Sequence, residues 1–210
     1  MTKLHFKLGL FYLAAIFFSF ETAAQDTSFE NDSIIYWSED RKLSWDDFKF
    51  KTDTTQKVIG KALATSQTNI QFINSTKNTI VIAYFSKVQS WSITRIDDVL
   101  EHEQLHFDIA ELFARKIRKA ISELKKKNIV DQNYYDIYEK YRKEWEEYNK
   151  LFDSGILATY AEKTITETGV EYALIESEVS KLYVIGQNYW KEKIHKELKE
   201  LEAYKSPFVK

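Results

Sequence analysis

The chain has 210 residues, with 30 Lys and Arg against 32 Asp and Glu, which gives a formal net charge of −2. This length predicts a single domain or a domain with an appendage, and the nearly balanced charge argues against nucleic acid as a partner. The sequence contains no cysteine, which excludes disulfide bonds, thiolate metal ligands and a cysteine nucleophile.

The N-terminal segment has the composition of a secretory signal peptide. Lys3 and Lys7 precede an apolar run over residues 8–20, and small residues follow up to Ala24. A basic segment, an apolar run of this length and a small-residue cleavage site are typical of a signal peptide, and the run is short for a membrane span. We therefore predict a signal peptide over residues 1–24 and a periplasmic or secreted protein of the bacterial envelope, with an uncleaved anchor as the alternative.

A polar leader and a small sheet are predicted to follow. Residues 25–33 are polar and predict a disordered leader, and a single folded domain is predicted over residues 34–210. Short apolar or alternating runs, typical of strands, occur at residues 34–37, 58–64, 70–73 and 79–85. A turn signal (NSTKN) joins the last two runs, so the sheet is predicted to be antiparallel. The strand at 79–85 is expected to lie at an edge and to bind an extended peptide by β-augmentation.

From Ile93 onward the hydrophobic period becomes helical. The first helix is predicted to begin after Thr94, which stands three residues before Asp97 in a capping arrangement. This helix is expected to end near Lys127, and a second helix is predicted over residues 131–152.

The second helix carries a row of aromatic residues whose spacing alternates between four and three. Its members are Tyr134, Tyr138, Tyr141, Trp145, Tyr148 and Phe152. This spacing keeps one face against a partner helix, and the break at residues 128–130 is short, so the two helices are predicted to form an antiparallel hairpin. A last helix is predicted over residues 187–204. The fold class is therefore α+β, with a small antiparallel sheet followed by a helical hairpin and a C-terminal helix.

The most informative motif is His102-Glu103-Gln104-Leu105-His106, an H-E-x-x-H sequence within the first helix. Residues four apart lie one above the other on a helix, so His102 and His106 are able to bind one zinc ion. Glu103 would then act as the catalytic base that takes a proton from metal-activated water. The alternative is an amphipathic helix whose two histidines are satisfied by hydrogen bonds in the core.

A third ligand is not evident from the motif alone. Ile109 and Leu112 occupy the places of the glycine and the third histidine of the metzincin pattern, which excludes that type. Folding the hairpin about residue 129 brings residues 153–171 close to the two histidines. The candidates for a third ligand are Asp153, Glu162, Glu167 and Glu171 in this segment, and His195 as the remaining histidine.

Three segments resemble the DUF922 family of bacterial secreted proteins. They are residues 43–48 (LSWDDF), 90–91 (SW) and 100–109 (LEHEQLHFDI). The family is uncharacterised, and a zinc-dependent protease activity has been attributed to it. The resemblance implies that His102 and His106 are zinc ligands and that Glu103 is the base. It also implies that Asp108 supports the ligands or the helix.

The resemblance weakens towards the C-terminus. Residues 152–153 (FD) echo the start of the family's downstream pattern and residues 187–190 (QNYW) its end. The stretch between them is longer and lacks the family's histidine. In the upstream motif, Trp45 and Phe48 are expected to contribute aromatic packing.

Together these features predict a secreted or periplasmic zinc metallopeptidase with a zincin-like α+β fold, Zn²⁺ as cofactor and a peptide or protein as substrate. One alternative is a non-catalytic envelope binding module on a degenerate zincin scaffold, which the missing downstream histidine favours. A second alternative is a metal-dependent amidase acting on cell-wall peptides, because the same water chemistry cleaves any amide bond.

Overall fold

The computed structural model describes residues 30–51, 63–75, 78–129, 132–168 and 176–206, with only the helical backbone described for Gln132 and for residues 155–168 and 176–184. The predicted signal peptide at residues 1–24 lies outside the described residues, as does most of the strand predicted at 58–64. Within the predicted leader, Glu30 is described and forms a β-bridge with Ile35. No helix in the described ranges is long and apolar enough to cross a membrane.

Short antiparallel strands form the N-terminal half of the described structure. They are β1 (Ile34–Tyr36), β2 (Ala64–Thr65), β3 (Thr68–Asn74), β4 (Thr79–Ser86) and β5 (Trp91–Ser92). One sheet has the order β1-β4-β3, and β2 pairs with β5 in a second, two-stranded sheet. The predicted turn between β3 and β4 is confirmed, because the backbone N–H of Ser75 donates to the carbonyl oxygen of Asn78 at 3.0 Å.

The expectation that residues 79–85 form an edge strand is wrong. β4 lies in the centre of its sheet, paired on one side with β3 and on the other with β1, where Ile35 stands opposite Phe85. Its consecutive residues from Val81 to Ala83 are all buried, which is typical of a strand covered on both sides. Among the described residues, β3 pairs along β4 from Thr79 to Phe85, and β1 covers the other side of β4 from Tyr84 to Ser86.

In the described ranges, three helices follow the strands: α1 (Asp97–Lys126), α2 (Gln132–Thr168) and α3 (Glu176–Glu200). Short 3₁₀ turns occur at Trp45–Asp47, after β1, and at Glu202–Tyr204, after α3. The predicted α+β class, with a small antiparallel sheet and these helices, is confirmed. However, α2 continues well beyond its predicted end at residue 152, and α3 begins before residue 187. The aromatic row stops at Phe152 because it marks the contact with α1 and not the extent of the helix.

Both ends of α1 have a clear local cause. The helix begins at Asp97 after an extended Ile96, and the predicted cap at Thr94 is wrong because Thr94 is held in a loop turn by the hydroxyl of Ser92. At the other end, Asn128 has a φ of 55°, in the left-handed region. Its N–H and that of residue 129 donate back to Lys125 and Leu124, which is the Schellman arrangement that ends a helix.

α1 is the central element of the domain. It packs against β3 and β4 on one side and against α2 and α3 on the others. Every residue from Phe107 to Arg115 is buried, although this stretch includes charged side chains. Each polar side chain in this buried stretch therefore needs a hydrogen-bond or ionic partner.

A buried ion cluster provides one set of such partners. One oxygen of Glu111 accepts hydrogen bonds from Nε of Arg115 at 2.9 Å and from Nη2 of Arg118 at 2.5 Å. Arg118 also donates to the carbonyl oxygen of Val81 on β4, and Arg115 to that of Leu198 on α3. Burial raises the pKa of Glu111, and the two guanidinium groups oppose this effect. The cluster therefore joins the helix to both neighbouring layers.

Replacing Glu111 with alanine should destabilise the protein strongly. The change leaves two buried guanidinium groups without their carboxylate, so the free energy of unfolding should fall by about 3–5 kcal/mol. Urea denaturation followed by circular dichroism measures this loss. The matched control is Glu123→Ala on the exposed side of the same helix, which should change the free energy by less than about 0.5 kcal/mol. Equal effects of the two substitutions would contradict the structural role of the cluster.

Candidate metal centre

The two histidines of the H-E-x-x-H motif meet an aspartate from α2. His102 and His106 lie one turn apart on α1, and their Nε2 atoms are 3.1 Å apart. Oδ1 of Asp153 lies 3.3 Å from Nε2 of His102 and 3.1 Å from Nε2 of His106. Two ring nitrogens and one carboxylate oxygen therefore converge on one point, and this group could hold a metal ion.

The antiparallel hairpin of α1 and α2 creates this meeting. Its predicted register brings residue 152 opposite His106, and the structure places the fully buried ring of Phe152 beside both histidines. The ring stacks on His102 with centroids 4.7 Å apart and meets His106 edge-on at 4.9 Å. Phe152 thereby limits the rotation of both imidazoles, and the next residue along α2 is Asp153.

Asn149 was not among the residues predicted from the sequence. Its Oδ1 lies 2.7 Å from Nδ1 of His106, and its Nδ2 donates to the carbonyl oxygen of Trp145 at 2.9 Å. Because this second bond fixes the amide orientation, Oδ1 accepts and Nδ1 of His106 carries the proton. The lone pair of Nε2 then faces the cluster. The sequence spacing indicates this position, since Asn149 precedes Asp153 by four residues and so shares its helix face.

The electrostatics of the cluster favour a positive charge at its centre. Burial lowers the pKa of His106, but the hydrogen bond that its ring donates to Asp153 and the charges of Glu103 and Asp153 outweigh this effect, so the pKa is raised. Burial likewise works against ionised Asp153, yet its hydrogen bonds with the two histidines hold its pKa well below the usual range. Three acceptor atoms within 3.3 Å repel one another unless a proton or a metal ion lies between them.

The predicted base, Glu103, is buried beside the cluster and held by the backbone. Its Oε2 accepts a hydrogen bond from the N–H of Ser66 at 2.6 Å, in the short link between β2 and β3. Among the described residues, Oε1 has no hydrogen-bond partner. One oxygen is therefore fixed while the other remains available to a reactant. Nothing in the pattern of residues 63–68 pointed to Ser66, because this contact depends on how the sheet packs against α1.

His195, one of the candidate third ligands, does not join the two motif histidines. Its Nε2 lies 3.3 Å from Oδ2 of Asp108, and Asp108 is about 200° around α1 from His106. Glu162 and Glu167 lie further along α2, where side chains are outside the described part of the chain, and Glu171 is also outside it. Of the candidates whose side chains are described, Asp153 alone lies beside the motif histidines.

Asp108 supports the helix and not the metal cluster directly. Its Oδ1 accepts hydrogen bonds from Nε1 of Trp37 at 2.7 Å and from Nε2 of Gln104 at 2.9 Å. Gln104 in turn accepts a hydrogen bond from the backbone N–H of Leu43 at 2.8 Å. The motif at residues 43–48 is thus attached to α1 by way of the motif residue Gln104.

The aromatic residues of the upstream motif pack as expected. The ring centroids of Trp45 and Phe48 are 5.2 Å apart, and Phe48 meets Phe85 of β4 edge-on at the same distance. Asp47 closes the short turn by accepting from the N–H of Ser44 at 2.7 Å. These contacts place the segment against the sheet and the N-terminal half of α1.

The fold and the cluster define an α+β protein whose central helix and second helix together present a His/His/Asp group able to hold a metal ion. The chain belongs to the family described as bacterial protein of unknown function (DUF922), whose model matches residues 45–155, more than half of the sequence. The family resemblance noted from the motifs is thereby confirmed, and the matched range contains His102, Glu103, His106 and Asp153. No curated protein and no solved structure matches the chain.

Replacing Asn149 with alanine should weaken zinc binding without removing a ligand. The change frees the ring of His106 and its tautomer, and loss of such a supporting hydrogen bond lowers metal affinity by roughly 10- to 100-fold. Competition against a chromophoric zinc chelator measures the affinity. Asn133→Ala, an exposed position on the same helix, is the matched control and should leave it unchanged. An unaltered affinity in the Asn149 variant would show that this contact does not prepare His106.

Proposed function

We propose that this protein is a zinc-dependent metallopeptidase of the bacterial envelope, in which His102, His106 and Asp153 hold the metal and Glu103 is the base. The observation that supports the proposal best is the convergence of the three ligand atoms at separations of 3.1–3.3 Å. Ligand atoms about 2.0–2.1 Å from a tetrahedral zinc ion lie roughly 3.3 Å from one another. The cluster thus has the dimensions of three corners of a zinc tetrahedron.

The chemistry of the donors also favours zinc. Two imidazole nitrogens and one carboxylate are a ligand set of catalytic zinc sites, in which the fourth position is left to water. Calcium and magnesium prefer sites made of oxygen alone. Two histidines and a carboxylate also bind non-haem iron, but a buried glutamate next to the first histidine serves hydrolysis and has no counterpart in that chemistry.

Each residue of the cluster has a part in the proposed reaction. A bound zinc ion would supply Lewis acidity, lowering the pKa of a water molecule and polarising the amide carbonyl. Glu103 accepts the proton of the attacking water at Oε1, since Ser66 holds Oε2, and then delivers it to the leaving amine. Asn149 keeps the proton of His106 on Nδ1, so Nε2 stays available as a ligand.

The central position of β4 changes the proposed place of the substrate. Among the described strands, β3 lies at an edge of the larger sheet, and it begins two residues after Ser66, which contacts Glu103. An extended peptide added along β3 would run towards the base. The predicted signal at residues 1–24 supports an envelope location and therefore substrates outside the cytoplasm, including cell-wall peptides.

The mature protein, starting at Gln25, should purify with about one zinc ion per chain. His102→Ala, His106→Ala and Asp153→Ala should each lose most of it, because three protein ligands are needed to retain the ion. Metal content is measured by mass spectrometry of the dialysed protein. His195→Ala is the control and should retain zinc, since this residue contacts Asp108 instead. Full zinc content in all three cluster variants would overturn the metal site, and iron in its place would overturn the zinc assignment.

Glu103→Gln should separate catalysis from metal binding. The amide keeps the size of the side chain but cannot take a proton, so the zinc content should persist while peptide cleavage falls by roughly 100-fold or more. Cleavage is measured with a fluorogenic peptide library and, in parallel, with cell-wall peptides. Undiminished cleavage in the variant would remove Glu103 from the mechanism. Zinc binding with no Glu103-dependent cleavage of either substrate would favour the non-catalytic binding module.

A further inference from the structure

A cavity of about 480 Å³ lies on the opposite face of α1 from the histidine cluster. Asp108 and Arg115 line it from α1, while His195, Leu198 and Lys199 line it from α3. The remaining walls are Trp37, Glu39, Lys42 and Glu202. This volume is within the range of small-molecule sites, and nothing in the proposed hydrolytic reaction uses it.

The floor of the cavity is buried and charged. Asp108 and Arg115 are each 1% exposed, and Trp37 is 6% exposed. The guanidinium carbon of Arg115 lies 5.3 Å from the centre of the Trp37 ring. A flat aromatic surface with a buried cation beside it therefore forms the base of the cavity.

The carboxylates that line the cavity already have donors. Asp108 is surrounded by Trp37, Gln104 and His195. Lys205 lies at the carboxylates of both Glu39 and Glu202, and Arg115 also donates to Glu202 at 3.1 Å. The negative charges of the wall are thus compensated by the protein itself.

Some cationic groups of the cavity wall have no carboxylate partner among the described residues. Arg115 uses Nε for Glu111 and Nη1 for Leu198 and Glu202, but within the described part of the chain its Nη2 donates to no residue. Lys42 and Lys199 form no ion pair with any described residue, although Lys42 lies 6.0 Å from the Trp37 ring. Because a guanidinium group carries five N–H donors, Nη2 of Arg115 can still donate to a ligand in the cavity.

We infer that this cavity binds a small organic acid, whose carboxylate is held by Nη2 of Arg115 and the ammonium groups of Lys42 and Lys199. The indole face of Trp37 and the side chain of Leu198 form the apolar part of the wall. They suit an apolar body attached to the acid group, of up to about the size of a dipeptide. This inference does not depend on the proposed peptidase activity, because the residues of the two sites are different.

The test uses calorimetric titration of the mature protein with three probes: N-acetylalanine, N-acetylleucine and N-acetylphenylalanine. At least one should bind, and its carboxamide should bind roughly 10-fold or more weakly, because it lacks the charge that the cations recognise. Inorganic phosphate should bind more weakly than the best acid, since it has no apolar body. No binding of any acid, equal binding of acid and amide, or equal binding of phosphate would overturn the inference.

Two rim substitutions locate the binding. Lys42→Met and Lys199→Met keep the side-chain length and should each weaken binding of the acid by roughly 3-fold or more. Lys196→Met, exposed on α3 but outside the cavity lining, is the matched control and should have no effect. Equal affinity in all variants would place the ligand elsewhere and overturn the inference. His102→Ala should leave acid binding unchanged, so loss of zinc and loss of acid binding are separate outcomes.

Discussion

The burial of α1 is the constraint on which the rest of the structure depends. On the sides of α1 that face the sheet and the two helices, polar side chains are shielded from water and need partners in the neighbouring elements. His106 finds one on α2, Glu103 in the link between β2 and β3, and Arg118 on β4. The partners that satisfy the helix are therefore also the contacts that orient the layers around it.

This arrangement places two kinds of chemistry on opposite sides of one helix. His102, His106 and Asp153 form a compact group in which acceptor atoms converge, which favours a cation. Around Asp108 and Arg115 the carboxylates are compensated and donors remain, which favours an anion. On one face α2 contributes a carboxylate, whereas on the other the lysines from α3 and from the segment after β1 lie beside carboxylates that Lys205 already pairs.

Much of the site followed from local pattern. The motif spacing placed His102 and His106 on one helix face, and folding the hairpin about residue 129 brought residues 153–171 close to them. The position of Asn149 also follows from helical spacing, since it lies one turn before Asp153 on the same helix face. The contact of Ser66 with Glu103 does not follow from local spacing, because it joins the link between β2 and β3 to a helix residue 37 positions away in sequence. The order of the strands could not be predicted either, because an apolar run such as 79–85 does not show which strands pair with it.

The sequence by itself determined the family, the α+β class and the two histidines and glutamate that share one helix, because these depend on spacing within a single element. Only the tertiary structure decided which acidic residue meets the histidines, that His195 instead contacts Asp108, and that β4 lies in the centre of its sheet. Those outcomes depend on how separate elements pack around α1. Packing of this kind is set by the whole buried surface and not by any one segment of the chain.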